Sequence, residues 1–381
     1  MSGPLDGLLV ADFSRVLAGP LATAMLADLG ARVVKVERPA VGDDTRHWGP
    51  PWSATTSAYF EAANRSKESI ALDLDDPGDL AVAHELAARA DVLVENFRTG
   101  TLAARGLDHD ALVRANPGLV YCSITGFGSE GGADLPGYDF LVQAVGGLMS
   151  ITGPSDGEPQ KVGVALVDVL ASKDAFGGIL AALLERERSG RGQRVEVNLL
   201  SSLLSSLVNQ ASGFLATGAS PRRQGNAHPS IAPYETLRCA DAVIAVCCGN
   251  DRQFAALCAT VGAADLAVDP RFVTNAARVE HRAALVTTLE RLLAARTART
   301  WVDDLMEVGV PAGLVGDLAE AFALAERLGL DPRVRVDDGA LDQVRHPVRY
   351  SRTPVLHYSR PPRLGEHDEV VRAWLDDETR P

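Results

Sequence analysis

Positive charge is scarce in this sequence. Its 37 lysines and arginines face 50 aspartates and glutamates, so the formal net charge is −13 at neutral pH. Proteins that bind nucleic acid neutralise phosphates with a basic face, and this balance therefore predicts that nucleic acid is not a partner. An anionic ligand would have to find a local basic pocket.

Cysteine is also scarce, and its spacing argues against the usual cysteine sites. The cysteines are five in number, lie in apolar segments and form no Cys-x-x-Cys pair; they are Cys122, Cys239, Cys247, Cys248 and Cys258. This pattern predicts buried thiols in a reducing compartment and no metal site.

Two features of secreted and membrane proteins are missing. The N-terminus has no basic segment followed by an apolar one, so we expect no signal peptide. The longest uncharged stretch, residues 197–221, contains six serines. It is too polar for a bilayer span and predicts a helix buried in protein. We therefore expect a cytoplasmic protein with no membrane partner.

What the sequence does contain is an alternation of short β-like runs and helical patterns over its first 125 residues. The predicted strands are residues 8–12, 33–37, 69–74, 92–95 and 119–125, with helices near 20–29 and 80–89. Such alternation predicts an α/β fold with a doubly wound parallel sheet. In these sheets, ligands bind outside the carboxyl ends of the strands.

At 381 residues the chain is long enough for two domains. The organisation changes near residue 222, where a turn-rich segment leads into a predicted strand at 242–247 and helices at 251–261, 281–295 and 300–308. We predict a small α/β domain over residues 225–330. The large domain would comprise residues 1–224 and 331–381, with the tail returning to it.

Asp168 is the strongest candidate for a catalytic residue. It interrupts the apolar run at residues 163–172 (GVALVDVLAS). A carboxylate in an apolar setting is costly unless it is hydrogen-bonded, paired or reactive, so Asp168 is a candidate nucleophile. The alternative is that Asp168 is the N-cap of a helix over residues 169–187.

Three arginines lie directly after predicted strands: Arg15, Arg38 and Arg98. They predict a cradle for a phosphorylated ligand at the carboxyl edge of the sheet. Residues 126–131 (GFGSEG) match the dinucleotide fingerprint, but they follow a late strand and do not run into a helix. We interpret them as a loop near the site.

Short motifs across almost the whole chain resemble those of family III CoA-transferases. They occur in the family's order at residues 12–20 (DFSRVLAGP), 36–38 (VER), 42–46 (GDDTR), 64–67 (NRSK), 95–98 (ENFR), 137–139 (GYD), 190–193 (GRGQ) and 364–367 (LGEH). The chain is therefore identified as a member of this family. The resemblance implies a large Rossmann-like domain built from both termini, a small domain between them, and an interlocked homodimer.

The resemblance also implies roles for individual residues. Asp168 matches the nucleophilic aspartate, which would act on an acyl-CoA and a carboxylic acid, with no cofactor beyond coenzyme A as a substrate. The residues implied to bind CoA, or to lie beside the nucleophile, are Val16, Ala18, Arg38, Leu72, Asn96, Phe97, Arg98, Arg105, Tyr138 and Asp139.

Two alternatives to a CoA-transferase are open at this stage. α-Methylacyl-CoA racemases are similar to this chain but place a histidine where Tyr138 stands, and a tyrosine with its ordinary pKa of about 10 is a poor base near neutral pH. His228 could replace that histidine, although its turn-rich setting indicates a structural role. The second alternative is a CoA-binding protein without catalysis, which would gain nothing from an unpaired acid at Asp168.

Within the family, several segments resemble the branch that uses succinyl-CoA with dicarboxylates such as glutarate, malate or citramalate. They are residues 146–153 (GGLMSITG), 198–202 (NLLSS), 228–234 (HPSIAPY) and 249–254 (GNDRQF). The formyl-CoA/oxalate type differs, because it has a glutamine at the position of Leu17 and a run of four glycines. These residues leave the acceptor acid open.

Overall fold

The computed structural model describes residues 3–336, 341–355 and 357–377. The strands of this part of the chain are β1 (Leu9–Asp12), β2 (Arg32–Glu37), β3 (Glu68–Ala71), β4 (Val92–Glu95), β5 (Val120–Thr125), β6 (Arg194–Asn198), β7 (Tyr234–Arg238), β8 (Val243–Cys247), β9 (Ala312–Leu314), β10 (Arg333–Val334) and β11 (Gln343–Val344). The helices are α1 (Ala18–Asp28), α2 (Ala58–Asn64), α3 (Pro77–Arg89), α4 (His109–Ala115), α5 (Asp139–Val145), α6 (Leu148–Ile151), α7 (Leu166–Ser189), α8 (Leu199–Ser206), α9 (Val208–Thr217), α10 (Asp251–Thr260), α11 (Asn275–Glu280), α12 (Arg282–Leu293), α13 (Ala298–Glu307), α14 (Leu318–Arg327) and α15 (Asp368–Asp376).

Strands β1 to β6 form one parallel sheet in the order β3-β2-β1-β4-β5-β6. In the middle of this sheet, Val10 of β1 lies opposite Val33 of β2 and Val92 of β4. Every residue of β1 and β4 is buried, as expected when helices cover both faces of a parallel sheet. The prediction of an α/β fold with a parallel sheet is confirmed.

The helices bury the apolar faces of this sheet. Helix α1 packs on α7, and α3 packs on α15 near the sheet edge formed by β3. The core on the α3 side includes Leu86, Leu93 and Ile70. It also includes Val371 and Leu375 of α15, so the C-terminal helix belongs to the hydrophobic core of the parallel sheet.

The chain divides into two units. The first comprises Met1–Leu148, Lys161–Ala219 and Asp331–Pro381, and the second comprises Met149–Gln160 and Ser220–Leu330. The second unit contains an antiparallel sheet in the order β7-β8-β9 and its own apolar core. Compared with the predicted small domain, it begins five residues earlier and also takes in the separate segment Met149–Gln160.

The prediction of one buried helix over residues 197–221 is wrong. This stretch contains the end of β6 and the two helices α8 and α9, and α9 has no buried residue among those described. No single helix in the described chain is long and apolar enough to cross a membrane. Helices α8 and α9 pass that test only as a pair bent by 82°, and by length and composition alone.

Candidate active site

Asp168 is the third residue of α7 and does not cap that helix. The helix N-cap is Ala165, whose side chain has no hydrogen-bonding group. The carboxylate of Asp139 takes this role and accepts hydrogen bonds from the backbone amides of Val167 (2.7 Å) and Asp168 (3.3 Å). The N-cap alternative for Asp168 is therefore wrong, because a side chain from α5 already satisfies these amides.

The Asp168 carboxylate makes no hydrogen bond or ion pair with any residue that the structure describes. Burial, together with the negative charge of Asp139, raises its pKa from the ordinary 3.8 to about 7. Both protonation states are therefore populated near neutral pH. An unpaired carboxyl group with a raised pKa in a cleft is typical of a reactive group.

Asp168 lines a cleft of about 300 Å³ whose walls include the loops that follow β1, β4 and β5. This is the edge of the sheet at which doubly wound folds bind ligands. The other predicted site residues that line the cleft are Val16, Ala18, Asn96, Phe97, Arg98 and Tyr138.

A second cavity of about 340 Å³ borders the cleft, since Arg15 and Phe97 line both. All but one of the remaining predicted binding residues line this second cavity. They are Arg38, Leu72 and Arg105. The exception is Asp139, which lines neither cavity and contacts the start of α7. The structure thus brings these residues from distant parts of the chain onto one continuous surface.

The predicted arginines differ in how they are held. Arg38 forms an ion pair with Asp44 at 2.7 Å, and Arg105 pairs with Asp75. Arg98 is exposed and has no ion pair or side-chain hydrogen bond within the described residues. Arg98 is therefore the most available of the three cations for a phosphate ligand.

Arg15 was noted at a strand end but was not among the implied binding residues. Its guanidinium lies over the Phe97 ring at 5.2 Å and is 3.4 Å from Asp44. Its Nε atom is buried and has no hydrogen-bond partner among the residues that the structure describes. A buried unpaired donor costs about 1–3 kcal/mol, so Arg15, which lines both cavities, carries an unsatisfied polar group there.

The loop after β1 is held in a strained conformation. Val16 has φ 70°, in the left-handed region that a β-branched residue adopts at a cost of about 1–3 kcal/mol. The Asn96 side chain bonds both the N–H and the C=O of Arg15, at 2.8 and 2.7 Å. The Val16 amide donates to Asp43 at 3.2 Å. Asn96 therefore holds the backbone of this loop at the cleft.

Beneath this loop lies a buried network of charges. Lys67 Nζ is 2.9 Å from Asp12 Oδ2, Lys35 Nζ is 2.9 Å from Asp43 Oδ2, and all four side chains are fully buried. Burial opposes ionisation of Asp12, but the two lysines and two hydroxyl donors outweigh it and lower its pKa to about 2. Burial lowers the pKa of Lys67 to about 8, which leaves this pair charged at neutral pH.

Tyr59, which the sequence did not single out, lies close enough to the site for the charges of Asp168 and Asp139 to act on it, although it lines neither cavity. Burial and the charges of Asp168, Asp139 and Asp43 raise the pKa of Tyr59 to about 12, so its hydroxyl remains a hydrogen-bond donor near Asp168. Its ring contacts Trp48 edge to face, with centroids 5.5 Å apart. Tyr59 lies in the short helix α2, and nothing in its local sequence distinguishes it from a core tyrosine.

The glycine-rich segment that follows β5 is a loop that lines the cleft. Gly126, Gly128 and Gly132 all contribute to the cleft wall, and the next helix is α5. Gly126 is needed because a Cβ atom there would lie 2.4 Å from the Cα of Gly137. This matches the interpretation of the segment as a loop near the site, and a dinucleotide fingerprint would require a helix directly after the glycines.

His228 lies in the second unit and has the contacts of a structural turn residue. Its Nδ1 accepts a hydrogen bond from the Ser230 amide at 3.1 Å, and its ring packs against Tyr234 with centroids 5.3 Å apart. Both contacts are local, so they position the turn before β7.

With this geometry established, comparison with known proteins identifies the class. The chain belongs to CoA-transferase family III, whose pattern matches residues 5–368, and it is an enzyme of that family. It is 43% identical to the succinate–glutarate CoA-transferase of Agrobacterium fabrum, over 98% of this chain and 96% of that protein. It is 42% identical to the acetyl-CoA:oxalate CoA-transferase of Acetobacter aceti, over 97% and 95% of the two chains. The crystal structure of a CAIB/BAIF family protein from Brucella suis superposes with a TM-score of 0.88 at 43% identity, covering 99% of this chain and 100% of that one.

Proposed function

We propose that this protein transfers CoA from succinyl-CoA to a carboxylic or dicarboxylic acid, with Asp168 as the nucleophile. The observation that carries the proposal is the unpaired carboxylate of Asp168 in a cleft that continues into an arginine-lined cavity. The names of the two relatives, which include glutarate and oxalate, support a dicarboxylate acceptor. They differ by one percentage point in identity, so identity does not select between those two acids.

The reaction needs a carboxylate that first carries the acyl group as an anhydride and then carries CoA as a thioester. The Asp168 oxygen attacks the thioester carbon, forming an acyl-aspartyl anhydride and expelling CoA thiolate. The thiolate then attacks the aspartyl carbon, which leaves an aspartyl-CoA thioester and releases the first acid. The acceptor carboxylate then attacks the aspartyl thioester, forming a second anhydride and expelling CoA thiolate. The thiolate attacks the acyl carbon of the acceptor, which releases the new acyl-CoA and regenerates the Asp168 carboxylate. Since the first step needs the ionised acid, its rate should rise with pH through about 7.

The two cavities suggest how CoA is oriented. Arg38 and Arg105 line the outer cavity with Leu72, a combination that suits a phosphorylated nucleotide. Phe97 and Arg98 line the cleft, where the pantetheine chain would lead to Asp168. Backbone amides of the loop at residues 126–132 would stabilise the charge that develops on the acyl oxygen.

The decisive experiment for substrate and class is a product assay. The protein is incubated with succinyl-CoA and, separately, with glutarate, malate, citramalate and oxalate, and the CoA products are measured by mass spectrometry. We expect a new acyl-CoA and free succinate in equal amounts with at least one acid. Absence of any new thioester across the panel would contradict transfer from succinyl-CoA.

Covalent trapping separates a transferase from a racemase. During turnover with succinyl-CoA, hydroxylamine should convert Asp168 into a hydroxamate, and borohydride should reduce its thioester to an alcohol; peptide mass spectrometry locates both. A racemase forms no such bond and instead exchanges the α-hydrogen of a 2-methylacyl-CoA with solvent deuterium. Rapid deuteration without an adduct at Asp168 would overturn the proposal.

Replacing Arg38 tests the placement of the nucleotide. We expect Arg38→Ala to weaken binding of CoA about tenfold or more, because it removes a charge-assisted hydrogen bond to phosphate. Binding of pantetheine, which lacks that end, should stay the same, and 3′-dephospho-CoA should lie between the two. Arg188→Ala, an exposed arginine late in α7, is the matched control. Equal losses of affinity for all three ligands would show that Arg38 does not contact the nucleotide end of CoA.

The proposal also covers the oligomeric state, the domain boundaries and the cellular compartment. We propose a homodimer, interlocked as the family resemblance implies, with residues 1–224 and 331–381 as the CoA-binding domain and 225–330 as the small domain. The exposed apolar side chains of α9, at 67% for Val208, 45% for Phe214 and 82% for Leu215, support a surface covered by a second chain. The five cysteines are all free, which supports a cytoplasmic setting.

A further inference from the structure

Gln143 is a fully buried amide close to the nucleophile that the mechanism above does not use. It lies on α5, one turn after Asp139, and 0% of its surface is exposed. It lines neither the cleft nor the outer cavity. A buried amide must have its hydrogen-bonding groups satisfied, so its partners show what it holds.

Both ends of the Gln143 side chain are engaged. Its Nε2 atom donates to Asp139 Oδ2 at 2.7 Å and to the backbone oxygen of Val164 at 3.4 Å. Its Oε1 atom accepts from the Val162 amide at 2.9 Å. One amide therefore ties α5 to the chain segment that leads into α7.

Asp139 continues this connection to the nucleophile. While Oδ2 accepts from Gln143, Oδ1 accepts from the amides of Val167 and Asp168. The segment before α7 has little burial to hold it, since Gly163 and Val164 are exposed. Its position therefore depends on these hydrogen bonds more than on packing.

We propose that Gln143 is a positioning residue for the transfer reaction: it orients Asp139 and residues 162–168 so that the Asp168 carboxylate stands at the cleft. This rests on the nucleophilic role proposed for Asp168. A nucleophile displaced by about 1 Å loses about 100-fold in rate, whereas substrate contacts made elsewhere are retained. The expected signature is a loss in kcat without a loss in acyl-CoA binding.

The first test is Gln143→Leu, which keeps the approximate volume and removes both hydrogen-bonding ends. We expect kcat to fall about 100-fold, and hydroxylamine trapping at Asp168 to slow in parallel, while Kd for CoA changes less than about threefold. The matched control is Asn116→Leu. Asn116 also joins two backbone segments, donating to Ala90 O at 2.8 Å and accepting from Gly118 N at 3.1 Å, but it lies away from both cavities. This control should lower the melting temperature and leave kcat unchanged.

The second test is Gln143→Glu, which nearly preserves the shape of the side chain. It can be measured even if the leucine variant does not fold. A protonated carboxyl group at this position can donate to Asp139 and accept from Val162, as the amide does. An ionised one cannot donate and repels Asp139. The ratio of variant to parent kcat should therefore fall as the pH rises from about 5.5 to about 8.5, because burial beside Asp139 raises the pKa of the new carboxyl group above its ordinary value and the group ionises as the pH rises.

The outcomes distinguish this inference from the proposed function. If the parent enzyme forms no adduct at Asp168, the nucleophile assignment fails and the positioning role fails with it. If the parent forms the adduct but Gln143→Leu, or Gln143→Glu at about pH 8.5, traps at the parent rate, only the positioning role is overturned. A variant-to-parent ratio that does not vary with pH, or a loss confined to CoA binding, would also overturn it.

Discussion

Replacing Asp168 with asparagine is expected to reduce CoA transfer about 1,000-fold or more, because the amide cannot form the anhydride or the aspartyl thioester. The variant should bind CoA with nearly the affinity of the parent, since the arginine-lined cavity is unchanged. Initial rates with succinyl-CoA and the best acid from the panel measure the loss, and calorimetry measures the binding.

The same substitution has a predicted effect on stability. Because folding raises the pKa of Asp168 from 3.8 to about 7, its ionisation destabilises the folded state increasingly as the pH rises through that range. Asp168→Asn should therefore be more stable than the parent at pH 8, by at most about 4 kcal/mol, and equally stable near pH 4. Asp174→Asn, an exposed acid on the same helix, is the control and should change neither activity nor stability. Transfer by Asp168→Asn within tenfold of the parent would contradict the nucleophile assignment.

Removing one partner of the buried pair between Asp12 and Lys67 should give the largest loss of stability. Lys67→Met leaves the Asp12 carboxylate buried without its nearest cation, and breaking a buried pair in this way costs about 3–5 kcal/mol. Chemical denaturation at pH 7 measures this loss. Because the folded pKa of Asp12 is about 2, the stabilisation by its charge is complete above about pH 4 and is lost as the pH falls through 2.

A double substitution provides the internal check. Asp12→Asn combined with Lys67→Met removes both charges, so its loss of stability should be smaller than the sum of the two single losses. The pair between the partly buried Arg89 and the exposed Glu85, one turn apart on α3, is the matched contrast, and Glu85→Gln should cost less than about 0.5 kcal/mol. Equal costs at the buried and exposed pairs would show that the network contributes no more than a surface ion pair.

Four strands of the parallel sheet were predictable because each contains a short β-like run in the sequence. The strands β1, β2, β4 and β5 begin within one residue of their predicted positions and end where predicted. Strand β3 is shorter than predicted and ends at Ala71, three residues early. The Leu72 side chain is buried in the apolar core on the α3 side, while its backbone amide donates to the Glu37 carbonyl, so its apolar character reflects tertiary burial.

The failed prediction for residues 197–221 has a related cause. Low charge predicts burial of a segment but does not say which molecule buries it. Here the apolar side chains of α9 are exposed in the single chain. A stretch of low charge therefore does not by itself show that the single chain buries it.

By itself the sequence determined the parallel sheet and the family, and it singled out Asp168 as the candidate nucleophile, because these follow from local periodicity and from short motifs. Only the tertiary structure shows that the Asp168 carboxylate lines a cleft and has no hydrogen-bond or ion-pair partner among the described residues. Asp139 and Gln143 come from another helix to hold the amides before and within α7, and Arg15 lines both cavities from the loop after β1. Hydrogen bonds and charge interactions between distant segments produce no periodic pattern in the sequence of either segment. Only the folded chain therefore shows which side chains are hydrogen-bonded and which carboxylate has no partner among the described residues.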